Sequence, residues 1–464
     1  MVLLINFLHI YKAKGHSLAM ILDKDSFGIR GFFIRKAFKA VFLAPERNTV
    51  KALPDSIVES PVSLYIHFPF CKSLCPACPY VRYLYDRRTV ERYLNSLQKE
   101  IQLYGSLVKD LDLRVSDVHV GGGTPSLIGV DVYRKIFECI SENFELAHGF
   151  DFGIEANPND LTEDYAFGIR EVGISSISIG IQSFSNPNLK VLGRVHRATD
   201  NFSAIENSLA ADFEHVNIDM MYFLPGQRVE DWVNDIETAT QLGVDQVTLY
   251  PLLIVRYRVM NRLLREGKLP QQPGRRRFNI FYRKAVELLR DGGYHPVRYY
   301  SFSRSPREYS TVEREMVGPL LGLGCGAIGF TGKYEYVNTC YPQEYIRKIS
   351  EHDLPIAGIR RVEEKERFIR WIQERLSALT LRKSEFRKFF GIDFDRAIAR
   401  IPFKYSLWLD KVLGNLEVTG DCIRLTEKGM AARNWAGWAF VLNVPCRIVE
   451  EYLKEPWPSR VKIP

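Results

Sequence analysis

SLYIHFPFCKSLCPACPY, residues Ser63 to Tyr80, runs from an apolar strand directly into a cysteine loop. Ser63 to Phe70 is dominated by apolar and aromatic residues, has Pro69 near its end, and reads as a buried strand. The loop carries Cys71, Cys75 and Cys78 in a CxxxCxxC spacing and is stiffened by Pro76 and Pro79. Three thiolates so close in sequence can clamp soft iron or zinc. Structural zinc sites usually close with four ligands, and no second Cys/His pair follows at a zinc-ribbon or zinc-finger spacing. Electron-transfer iron–sulfur clusters usually take four cysteines. A cubane held by three leaves one iron open to a small molecule. The loop alone also admits an incidental cysteine cluster or a zinc site completed by a distant residue.

Outward from this stretch, strands and helices alternate, the pattern of a parallel sheet with covering helices. Six units are predicted, with strands near 63–70, 116–120, 151–156, 174–183, 215–225 and 246–254. Helical segments lie between them, among them Thr89 to Leu111, Asp131 to Phe144 and Val229 to Leu242. Six fall short of the eight of a closed (β/α)8 barrel, in which chemistry sits at the C-terminal strand ends. Most of the motifs lie at or near such ends. VGGGTPS, with Gly121, Gly122, Gly123, Thr124 and Pro125, lets backbone approach a ligand closely. IEANP puts Glu155 at the tip of the third strand, where a carboxylate can pair with an ammonium group. ISSISIGIQSF closes on Gln182, aimed at the barrel mouth, and LKVLGRVHRA follows with Arg194 and His196. VNIDMMYFLPGQ places the acid Asp219 within an apolar strand, which needs a partner or a ligand; Arg194 is the candidate partner. LLGLGCGAIGF satisfies GxGxxG through Gly324, Gly326 and Gly329, but the strand-like FTGKYEYVNT after it excludes a dinucleotide fingerprint, which must open a helix.

The 464 residues leave room for two or three domains. Apolar content of 46% and charged content of 25% are those of an ordinary globular chain. Lys plus Arg exceed Asp plus Glu by 63 − 55 = 8, which suits an acidic small molecule, a nucleic acid or an anionic surface without choosing among them. Beyond the trio, Cys139, Cys325, Cys340, Cys422 and Cys446 are scattered; this is no disulfide framework, so a cytoplasmic location is expected. MVLLINFLHIY at the start is too short to span a bilayer and lacks signal-peptide features, and Met20 is an alternative start. Phe27 to Phe42 reads as a basic amphipathic helix, in the first place a packing arm with a solvated face and in the second a membrane-surface or substrate lid. From Arg361 the pattern turns helical, with Glu363 to Leu379 amphipathic, then the hairpin-like LEVTGDCIRLTEKGMAA, a winged-helix signature. No dense basic recognition helix stands out, so no nucleic-acid partner is expected. The tail EPWPSRVKIP is expected to be extended.

YIHFPFC, the CxxxCxxC loop, GGGTP, the E-x-x-P of Glu155, the Gln182–Arg194–Asp219 set and the GxGxGA-like GLGCGA together resemble the radical S-adenosylmethionine (radical SAM) superfamily. Within it, the chain is similar to the branch of oxygen-independent coproporphyrinogen III oxidase and the related haem chaperone. The resemblance covers about residues 60 to 445. It implies a partial (β/α)6 barrel of residues 59–300 after an N-terminal extension (1–58), then a closing segment (301–360) and a mostly helical, winged-helix-like domain (361–464). It implies a [4Fe-4S] cluster on Cys71, Cys75 and Cys78, whose fourth iron is chelated by SAM, and reductive cleavage of SAM to a 5′-deoxyadenosyl radical. Tyr65, Gly122, Gly123, Thr124 and Glu155 inherit SAM binding, and Gln182, Arg194 and Asp219 match positions that contact a second SAM in the oxidase. One SAM or two are therefore expected, with a low-potential electron donor and a tetrapyrrole or aromatic small-molecule substrate. The leading expectation is oxidative decarboxylation of coproporphyrinogen III in porphyrin biosynthesis. Against strict identity, Tyr80 stands where the oxidase has a fourth cysteine, and Ala77 where it has an aromatic residue. The HN-x-x-YW signature of the haem chaperone is missing before Gly322, where the chain reads REYSTVEREMVGPL. A two-SAM methyltransferase or cyclopropanating enzyme is the third reading.

Overall fold

The computed structural model describes residues 40–43, 50, 53–57, 60–255, 258–305, 318–434 and 460–463. The first strand, β1 (Ala40–Leu43), is followed by β2 (Val62–Phe68) and by the short pair β3 (Phe70–Cys71) and β4 (Tyr83–Leu84) around the cysteine loop. The alternation then runs α1 (Arg87–Val108), β5 (Arg114–Gly122), α2 (Val130–Asn143), β6 (Glu145–Ala156), α3 (Glu163–Val172), β7 (Ser176–Gln182), α4 (Asn186–Leu192), α5 (Ala198–Ala210), β8 (His215–Tyr222), α6 (Val229–Gln241) and β9 (Gln246–Pro251).

Local chemistry sets these elements. In β2, six of the seven residues are buried, because helices cover one face and the barrel interior the other. In β7, Ile177, Ile179 and Ile181 are fully buried while Ser176, Ser178 and Gly180 keep the opposite face small. Helix α1 starts at Asp86, whose side chain accepts from the Thr89 N–H at 2.9 Å. Its buried Val90, Tyr93, Leu94, Leu97, Ile101, Tyr104 and Val108 recur at helical spacing.

After β9 come α7 (Val259–Arg265), α8 (Arg275–Asp291), β10 (His295–Pro296), β11 (Ser301–Ser303), β12 (Leu320–Leu323), β13 (Ile328–Phe330), β14 (Tyr334–Asn338), α9 (Pro342–Ser350) and β15 (Ile356–Arg361). One fourteen-stranded sheet has the order β10-β11-β9-β8-β7-β6-β5-β2-β12-β13-β14-β15-β1 and ends on β19 (Arg460–Ile463). The six expected strands are parallel neighbours, and a seventh joins them: β12 runs parallel to β2 with Leu321 opposite Leu64. Sequence pattern misses it because LLGL is short and borders a glycine run. Gly322 is needed there, since a Cβ would lie 2.4 Å from the Ile328 carbonyl oxygen of the antiparallel β13.

The helix expected over Phe27 to Phe42 is overturned at its end. Ala40 to Phe42 belong to β1, paired antiparallel with β19 and continuing to β15, and the earlier residues lie outside the described ones. Over Arg460–Ile463 the strand β19 agrees with the expected extended tail; residues 455–459 and 464 lie outside the described ones. The C-terminal module contains α10 (Glu364–Ser377), β16 (Thr380–Arg382), α11 (Lys383–Phe390), α12 (Phe394–Ala399), α13 (Phe403–Val412) and the hairpin β17 (Leu416–Thr419) and β18 (Cys422–Leu425), with β16 completing a three-stranded sheet. It meets the barrel through the Asn434 amide, which donates to the Tyr222 hydroxyl at 2.8 Å, and through a buried Arg298–Glu374 ion pair. No described helix is long and apolar enough to cross a membrane.

Glu100 ties α1 to the glycine-rich turn after β12. It accepts from the Gly324 N–H at 2.8 Å, the Tyr345 hydroxyl at 2.6 Å and the Asn338 amide at 3.3 Å. Burial pushes its carboxyl up to about 7 in spite of these bonds. The folded chain thus holds a proton that the unfolded chain, at an ordinary value of 4.5, has already lost. Its contribution is fully present below pH 4.5 and is lost as pH rises to about 7. Glu100→Gln should flatten that slope in urea midpoints taken at about pH 5 and about pH 8. A variant that keeps the wild-type slope would assign it to another group.

Candidate functional site

The cysteine loop is fastened at both ends. Phe70 pairs with Tyr83 and Cys71 with Leu84, and the Tyr85 N–H donates to the Cys71 carbonyl at 2.9 Å. Inside it the Cys78 N–H reaches the Cys75 carbonyl at 3.3 Å, and the Met260 N–H of α7 reaches the Pro76 carbonyl at 3.2 Å. Cys71, Cys75 and Cys78 all line one cavity of about 290 Å3 at the C-terminal ends of the parallel strands. Burial pushes the Cys71 thiol up to about 11, although Thr124 hydrogen-bonds to it, and burial raises Cys78 as well. Burial thus favours the neutral thiols of Cys71 and Cys78, and loading iron must release their protons. Among the described residues, no group of three or more His, Cys, Asp or Glu converges on a single-ion site.

The rim of the same cavity is built from strand ends. Gly122 has φ +111°, and a Cβ there would lie 2.4 Å from the His67 ring, so only glycine fits. The Gly123 N–H donates to the Phe68 carbonyl at 2.7 Å, and the Gly122 N–H donates to Glu155 Oε2 at 3.0 Å. The other carboxylate oxygen of Glu155 lies 3.5 Å from His119 Nε2. Burial works to raise the Glu155 carboxyl, but the hydrogen bond and charge of His119 and the Gly122 N–H outweigh it and hold it below its ordinary value. With 44% of its side chain exposed, Glu155 remains open to a ligand. Asp219 accepts from the Asn217 amide at 2.9 Å, and burial, with Glu155 adding to it, pushes its carboxyl up to about 7.

Gly122, Gly123, Thr124, Glu155, Gln182, Arg194 and Asp219 all line the cavity with the three cysteines. Gln182 does so from a left-handed backbone at φ +67°, a conformation that costs about 1–3 kcal/mol in a side-chain-bearing residue and clusters at ligand sites. Tyr65 stands one step back. Its ring stacks on His119 at 6.0 Å and its hydroxyl is 2.9 Å from His67 Nδ1, but it is not among the cavity-lining residues. The expected pairing of Asp219 with Arg194 does not form. Arg194 instead donates to the Asn157 side-chain oxygen, to the Gly180 carbonyl at 3.1 Å and to Cys75 Sγ at 3.8 Å, while Asp219 is held by Asn217 and Ser178. His119, Asn157 and Arg82 escape sequence reading. His119 has the only local signal, a polar ring two residues before the glycine run.

A family model described as "Radical SAM superfamily" matches residues 65–239. The heme chaperone HemW of Mycobacterium tuberculosis is 30% identical over 306 residues, 64% of this chain and 77% of that protein. The chain belongs to the radical SAM superfamily. An oxygen-independent coproporphyrinogen III oxidase from Synechocystis is 27% identical over 400 residues, 80% of this chain and 83% of the relative. Among solved structures, the radical SAM enzyme coproporphyrinogen III oxidase (HemN) from Escherichia coli superposes with a TM-score of 0.73 at 22% identity, covering 86% of this chain and 94% of that one. The fold is accordingly that of a radical SAM protein of the HemN/HemW branch, and its cofactors are a [4Fe-4S] cluster and SAM.

The cavity fits both groups. Three thiols face it, and two carboxylates close enough for one to raise the other call for a cationic ligand. SAM carries an ammonium and a sulfonium charge.

Proposed function

We propose that this radical SAM protein carries out oxidative decarboxylation of the propionate side chains of a porphyrinogen, with a low-potential electron donor in a reducing cytoplasm. The supporting observation is the gathering of the cysteine trio, the Gly122–Thr124 backbone, Glu155 and Asp219 around one cavity. The reach of the Synechocystis relative over 80% of the chain supports the oxidase over the chaperone reading. The described cysteines are all free thiols, in keeping with that compartment.

When bound, the reduced cluster and SAM together supply a 5′-deoxyadenosyl radical. The chain's own work is to bind, orient and exclude water. Cys71, Cys75 and Cys78 hold the iron. Gly122, Gly123, Thr124 and Glu155 receive the methionine end of SAM, Glu155 by charge-assisted hydrogen bonding to its ammonium. Tyr65 acts through His119, and Gln182, Arg194 and Asp219 shape the remaining wall. In this reading the described residues of 59–300 form the catalytic barrel, those of 301–360 close it, and 361–434 cover its open side.

Glu155→Gln keeps the shape but loses the charge. It should weaken SAM binding by about tenfold to a hundredfold, the worth of a charged hydrogen bond at about 1.5–3 kcal/mol. Equilibrium dialysis against SAM measures this, and unchanged affinity would remove Glu155 from the site.

A second reading, haem binding, is favoured by the number of relatives carrying the name heme chaperone HemW. One anaerobic experiment separates the two. Coproporphyrinogen III incubated with reductant, SAM and the protein should lose carbon dioxide, seen as a mass decrease in the product. Intact substrate together with stoichiometric haem uptake would reverse the order of the two readings.

A further inference from the structure

Two guanidiniums brace the cysteine loop and have no part in the SAM contacts proposed above. Arg82 lies four residues after Cys78, and Arg258 caps the start of α7. Arg82 donates from Nη2 to the Cys75 carbonyl and lines the cavity. Its Nε is buried with no hydrogen-bond partner within the protein. Arg258 donates from Nη2 to the Pro79 carbonyl at 2.9 Å and to the Tyr80 carbonyl at 2.7 Å. Both cations are close enough to Cys78 to act on its thiol electrostatically, and Arg82 acts on Cys71 as well. The loop's own carbonyls pin each guanidinium in place, so neither charge swings into solvent.

A cluster on three thiolates becomes one unit more negative when it accepts an electron. Fixed positive charge in a partly buried site favours that reduced state, because the local dielectric is below that of water. We propose that Arg82 and Arg258 set the reduction potential of the bound cluster, holding it high enough for a one-electron carrier to reduce it. One electron passes from the carrier, which is oxidised, to the cluster, and no bond forms or breaks. This inference rests on the reading that Cys71, Cys75 and Cys78 hold the cluster.

The test compares full-length wild type, Arg82→Gln, Arg258→Gln and Arg82→Lys, each reconstituted anaerobically with iron and sulfide. Iron content is measured first, then the midpoint potential by redox titration followed by electron paramagnetic resonance, without SAM. At the wild-type midpoint the reduced-to-oxidised ratio should fall about tenfold in each Gln variant, a shift of about 59 mV for a one-electron couple. Arg82→Lys, which keeps the charge, should stay close to wild type. Unchanged potentials in fully loaded Gln variants overturn this inference alone. So does failure of both Gln variants to hold iron, which would make the two residues mechanical clamps. A wild-type chain without the cluster overturns the cofactor reading and this inference together.

Discussion

Cys71→Ala, Cys75→Ala and Cys78→Ala proteins, reconstituted anaerobically, will carry essentially no [4Fe-4S] cluster and will not cleave SAM. The three thiols face one cavity, and a cluster left with two protein ligands loses the bonds that hold it there. Cys139→Ala and Cys422→Ala are the matched controls. Cys139 sits on α2 and Cys422 on β18, neither lines the cavity, and both variants should keep iron at the wild-type ratio. Iron and sulfide analysis, with 5′-deoxyadenosine as the cleavage product, decides the matter. Wild-type iron in any of the three trio variants would refute the ligand set.

The second large effect concerns stability. Arg298 has none of its side chain exposed and pairs with Glu374, whose side chain is 6% exposed. Arg298 precedes β11 and Glu374 lies on α10, so the pair rivets the C-terminal module to the barrel. Arg298→Met strands a buried carboxylate and should cost about 3–5 kcal/mol, whereas the double variant Arg298→Met/Glu374→Leu should recover most of the loss. Urea unfolding measures both. A single variant within about 1 kcal/mol of wild type would place this pair among the weak surface type.

What was legible in the sequence was what is local. The cysteine loop, the Gly121–Gly123 turn, Glu155 and Gln182 each announce themselves within a few residues, at strand ends whose positions follow from alternation. The missed features depend on register and long-range closure. β12 becomes a barrel strand only because β2 offers it a free edge. His119 meets Glu155 because β5 and β6 are adjacent in parallel register. Arg258 braces the loop at Pro79 from 179 residues away, and no spacing rule reaches that far. An acid within an apolar strand needs partners, and those of Asp219 are Asn217 on its own strand and Ser178 on the neighbouring one, not the cation that charge alone suggests.

The pairing of β3 with β4 has a bearing on how the three thiols are brought together. Because Phe70–Tyr83 and Cys71–Leu84 close the loop by backbone pairing, part of the entropy of bringing the three thiols together is covered by strand formation. The same backbone bonds fix where the loop enters and leaves the barrel, so the spread of the thiols is bounded by the sheet and not by the loop alone.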